Sequence, residues 1–126
     1  MPISLRERRF AAMRRISEWV DFQRKQAQEL YPSYGTLGIG GAGFDYLLKA
    51  VVGESYLRVL RHGGTNDEAY LQAVLDGNDC VQNWNKNGRR SRVCIGGAYE
   101  LERWDKAGGV EADALHRWFL ALVESP

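Results

Sequence analysis

Long stretches of this chain carry apolar side chains at three- and four-residue spacing, and pairs of glycines stand where the spacing lapses. That punctuation predicts helices separated by short breaks. From Ser4 to Tyr31, Leu5, Ala12, Met13, Ile16, Trp19, Val20, Ala27, Leu30 and Tyr31 fall on one arc of a helix. Arg14 with Glu18, Asp21 with Lys25 and Lys25 with Glu29 fall at i,i+4 spacing on the other side, as a solvated face requires. Pro32 is expected to end this helix over 4–31. A second helix runs from Phe44 to His62, with Gly63-Gly64 as its C-terminal stop. Thr65-Asn66-Asp67-Glu68 then reads as a capping box, in which Thr65 and Glu68 each satisfy the other's backbone N–H. The helix it opens extends to about Gly88, with a kink or break possible at Gly77 because glycine costs about 1 kcal/mol against alanine there. Two shorter helical patterns follow, Ala98–Ala107 and Glu111–Val123, joined by Gly108-Gly109. No strand pattern competes, apart from a poorly alternating hairpin around Asn87-Gly88. The expected fold is all-α, one small domain over 1–126 with about five helices.

Between the first two helices, residues 32–43 form a glycine-rich stretch with a formal G-x-G-x-x-G at Gly38, Gly40 and Gly43. In a dinucleotide-binding fold that motif must follow a buried strand. Here it follows a helix and a proline, so a flexible connector is the expectation. Neither a P-loop, nor a Ser-His-Asp or Cys-His arrangement, nor a metal-binding spacing among Cys80, Cys94, His62 and His116 is present. The sequence therefore gives no enzyme, no cofactor and no metal. The first ten residues lack the apolar core of a signal peptide, and no 18-residue apolar run is present. A cytoplasmic protein with reduced thiols is expected, with no membrane partner.

Charge is more telling in blocks than in total. Seventeen Lys and Arg against 16 Asp and Glu leave +1 overall. Residues 64–85 contain Asp67, Glu68, Asp76 and Asp79 with no base, whereas 86–92 contain Lys86, Arg89, Arg90 and Arg92 with no acid. The basic block follows Asn83-Trp84-Asn85, so it joins phosphate-neutralising groups to amides and to an indole able to stack on a base. A solvated loop with Trp84 in the core is the alternative. The segment 97–124 carries the second functional signal. With Gly109 at a tight turn, Trp104, Val110, Leu115 and Trp118 occupy the lock positions of a helix-turn-helix. Glu111, Ala112, Asp113, His116 and Arg117 then face the major groove. Asp105 and Gly108 fit that motif poorly, and a plain helical hairpin closing a bundle is the alternative.

Trp19 with Phe22, Tyr31-Pro32-Ser33, Gly40-Gly41-Ala42-Gly43, Asp67-Glu68-Ala69 and the closing Gly109-Val110…Arg117-Trp118 occur in an order that resembles phage late-gene antitermination proteins of the Q type. The resemblance implies a helical N-terminal part followed by a helix-turn-helix similar to region 4 of sigma factors. It also implies binding to double-stranded DNA, antitermination, and engagement of RNA polymerase, with His116 and Arg117 as DNA-reading residues. The reading is a DNA-binding transcription regulator that contacts phosphates through Lys86, Arg89, Arg90 and Arg92. The alternative is a small helical module that binds and regulates a protein without nucleic acid. Four Trp and an aromatic content of 11% support it, because such side chains are enriched at interface hot spots.

Overall fold

The computed structural model describes residues 3–37, 41–86 and 107–124, and these form four helices with no strand among the described residues. They are α1 (Leu5–Leu37), α2 (Gly41–Arg61), α3 (Asn66–Lys86) and α4 (Ala107–Glu124). Each packs on the next in sequence, and α4 returns to pack on α1. The result is an all-α bundle.

Local signals account for the clearest boundaries. Thr65 Oγ1 accepts the Glu68 N–H at 3.1 Å and Glu68 Oε1 accepts the Thr65 N–H at 3.0 Å, completing the expected capping box. Those bonds hold the Glu68 carboxyl below the ordinary glutamate range, so the box weakens as pH falls through that lowered value. A related cap opens α1, where Ser4 Oγ accepts the Glu7 N–H at 3.1 Å. At the end of α2, Gly63 adopts φ +86°, and the Gly63 and Gly64 N–H groups bond to the Leu60 and Val59 carbonyls. This is the expected glycine stop, and its left-handed residue explains why glycine stands there.

Three expectations about boundaries are corrected. Pro32 does not end α1, which continues to Leu37. A proline withdraws one donor and crowds one carbonyl, which biases a helix toward ending without forbidding its continuation. The glycine-rich stretch 32–43 is largely helical: α1 occupies its first half and α2 begins at Gly41. Gly108-Gly109 is not a turn, since both lie in the first turn of α4. Four helices rather than five are found among the described residues, and the expected helix over 98–107 lies outside them except for Ala107.

The core is built from one face of each helix. Ile16 and Val20 of α1, Leu48, Val52, Tyr56 and Leu57 of α2, and Leu115 and Phe119 of α4 are buried together. Helix α3 contributes the four-spaced row Ala69, Ala73, Gly77 and Val81, all buried. Small side chains on that row let the neighbouring helices come close. Gly77 sits within an unbroken helix, and it is there because Gly108 of α4 lies against it. A partly buried polar link ties α2 to α3. Ser55 Oγ donates to Asp76 Oδ2 at 2.6 Å, Arg58 Nη2 donates to the same oxygen at 2.9 Å, and Gln72 Nε2 donates to Oδ1 at 3.0 Å. Three donors on one carboxylate satisfy a group that would otherwise oppose packing.

Candidate nucleic-acid interface

Helix α4 presents two different faces. Ala112, Leu115, Phe119 and Val123 point into the core. Val110, Ala114, Arg117 and Ala121 point outward and are exposed. Arg117 is the sole Lys or Arg of this helix, and its side chain is 77% accessible. It pairs with Asp113 one turn earlier. An exposed pair of this kind contributes little to stability, so Arg117 can exchange that partner for another acceptor at small cost.

The groove-facing set expected from the sequence is therefore divided. Arg117 is where it was placed. Ala112 is fully buried, which removes it from any outward face. Glu111 is turned toward α2, with its carboxylate 3.6 Å from Lys49 Nζ, and burial raises the Glu111 carboxyl above its ordinary range despite that cation. His116 does not stand free on the surface either. Its Nδ1 lies 2.8 Å from the Tyr56 hydroxyl, and its ring lies 4.8 Å from that of Tyr70 at an interplanar angle of 36°. The cause is helical phase: His116 is one residue past Leu115 and three before Phe119, so it flanks the core stripe. That spacing was legible in the sequence and was obscured by placing a turn at Gly109.

Of the other expected phosphate contacts, Lys86 is the last residue of α3. Arg89, Arg90 and Arg92 lie outside the described residues, as do Trp104 and most of the first helix of the expected helix-turn-helix. Trp118, assigned to the lock between those two helices, packs on α1. Its ring centroid is 5.6 Å from that of Trp19 in an edge-to-face arrangement, and the Arg15 guanidinium lies 5.3 Å over it. Together Trp19, Trp118 and Arg15 make an aromatic and arginine seam between α1 and α4. No single residue in the sequence announces that seam, because it joins positions about a hundred apart.

Elsewhere several charges pair within and between the helices. Arg24 meets Glu54 across α1 and α2, Lys49 meets Asp45 and Glu111, and Arg58 meets Asp76. Cys80 is half-buried, and burial pushes its thiol up to about 11. At pH 8 the thiolate is scarce, so Cys80 should react with alkylating reagents at least about tenfold more slowly in the native than in the unfolded chain. Timed labelling of a Cys94→Ser variant, with and without denaturant, reads this directly. Equal rates would contradict the burial of Cys80.

No helix among the described residues is long and apolar enough to cross a membrane. No family model, curated protein or solved structure matches this chain.

Proposed function

We propose that this protein is a DNA-binding transcription regulator that reads double-stranded DNA with the outward face of α4. The observation that supports this most is the make-up of that face: one accessible arginine among Val110, Ala114 and Ala121. Small side chains permit close approach to a groove floor, alanine can contact a thymine methyl, and a guanidinium can bond to guanine through two atoms. The basic block Lys86, Arg89, Arg90 and Arg92 supplies sequence-independent phosphate contacts. The resemblance to Q-type antitermination proteins adds RNA polymerase as the protein partner.

A second reading is favoured by the seam of Trp19, Trp118 and Arg15, since Trp and Arg dominate interface hot spots. In it the chain binds and regulates a protein and has no nucleic-acid role. A gel-shift assay against random and genomic duplexes at two salt concentrations separates the two. The DNA reading expects affinity to fall steeply with salt. Replacing Lys86, Arg89, Arg90 and Arg92 together by Ala should reduce the magnitude of the salt slope by about four. Arg117→Ala should lose about 1–3 kcal/mol of discrimination at one base pair. Absence of binding at low salt, or unchanged affinity and preference in both variants, leaves the protein-binding reading.

A further inference from the structure

Three helices and the α2–α3 turn meet around an open cavity of about 500 Å³. Arg9 enters it from α1, Asn66 and Asp67 from the start of α3, and His116 and Leu120 from α4. Neither Arg9 nor the cavity was singled out by the sequence, because the lining residues are separated by more than a hundred positions.

The direction of each hydrogen bond fixes what the polar side chains offer. Arg9 Nη1 donates to Asn66 Oδ1 at 3.0 Å. The Asn66 carbonyl oxygen thereby takes one of the two hydrogen bonds it can accept, and its amide group is left with two N–H donors. Arg9 keeps four further N–H donors. Tyr56 is wholly buried, and burial pushes its hydroxyl well above the ordinary tyrosine range. It stays protonated, and the buried hydrogen needs an acceptor. His116 Nδ1 lies 2.8 Å away and is that acceptor in the tautomer with its hydrogen on Nε2. A neutral imidazole that accepts at Nδ1 carries its hydrogen on Nε2, so His116 is a donor on its other side. Arg9, Asn66 and His116 thus offer mainly donors, the second lone pair of Asn66 Oδ1 being the one acceptor site left among them.

We infer that this cavity binds an oxyanion, a phosphate group before others, with Arg9, Asn66 and His116 as its ligands. A phosphate presents acceptor oxygens in several directions and carries the charge that Arg9 neutralises. Asp67, which is exposed at the same cavity, opposes that charge and keeps the binding weak. The phosphate could be free or part of a DNA backbone. The site stands on its own geometry in the first case and deepens the DNA reading in the second.

Inorganic phosphate is the probe, added to the full chain in a non-phosphate buffer at fixed pH and ionic strength. The His116 ring is followed by NMR, and exposed His62 serves as the internal control. The expected result is a saturable shift of His116 alone. Arg9→Gln should weaken it at least tenfold, and Asp67→Asn should tighten it severalfold. No saturable shift, an equal shift at His62, or a response unaltered in both variants overturns the site. If Arg9→Gln fails to fold, the direction of change in Asp67→Asn still decides. A DNA duplex is the second arm. If it moves the same His116 signals and competes with phosphate, the group is a backbone phosphate. If phosphate saturates the site while DNA neither binds nor competes, the DNA reading fails and a free oxyanion site stands.

Discussion

Phe119→Ala should destabilise the protein by about 3–5 kcal/mol, the range for removing a buried ring from a core that only partly collapses around the space. Phe119 is fully buried in α4, and its ring centroid lies 5.4 Å from that of Tyr56. Tyr56 in turn holds His116, so the substitution removes the packing behind the donor that faces the cavity. In a chain of 126 residues the loss should lower Tm by roughly 11–19 °C. Leu71 provides the contrast, an apolar residue of α3 that is 60% exposed. Leu71→Ala should change stability by no more than about 0.5 kcal/mol. Chemical denaturation of both variants, with equal slopes against denaturant, makes the comparison. A loss below about 1 kcal/mol at Phe119 would mean that α4 does not close the core.

The parts of this fold that were legible in the sequence are those decided within a few residues. Thr65 and Glu68 satisfy one another across a single turn, and Gly63 reaches a left-handed conformation without help from elsewhere. The core positions of α4 followed from periodicity in the same way, Leu115 and Phe119 among them. What failed was inference from residues whose meaning depends on a distant partner. Glycine serves equally for a turn and for close approach of two backbones, and the sequence around Gly108 does not say which. The partner that decides is Gly77, on another helix. Pro32 failed for a related reason, since helix continuation is set by the whole segment and not by one missing donor. The candidate site divided along the same line. Exposure of Arg117 was a matter of helical phase, whereas the capture of His116 needed Tyr56 from α2 and Tyr70 from α3.

Gly108→Ala and Gly109→Ala should move stability in opposite directions, although the two glycines are adjacent in α4. A Cβ on Gly108 would lie against the Gly77 carbonyl carbon, 2.5 Å from the Asn78 nitrogen and 2.7 Å from Asn78 Oδ1. The first two are backbone atoms inside a helix, so relief requires α3 and α4 to move apart as bodies. A loss of about 3 kcal/mol is expected, toward the upper end for overpacking. Gly77→Ala meets the same crossing from the other side, 3.0 Å from Val52 Cγ2 and from the Gly108 Cα. Its gain in helix propensity, about 1 kcal/mol, offsets part of an overpacking cost of about 1–3 kcal/mol, so a smaller net loss is expected. At Gly109 a Cβ would meet nothing within 4 Å, and Gly109 has no positive φ. There alanine only restricts the unfolded chain and favours helix, so a gain of about 0.5 kcal/mol is expected. A helix-turn-helix with its turn at Gly109 requires the reverse, because a left-handed glycine at the turn resists alanine. Thermal or urea unfolding of the three single variants therefore reports whether α4 runs unbroken from Ala107, and a loss at Gly109 larger than that at Gly108 would restore the turn.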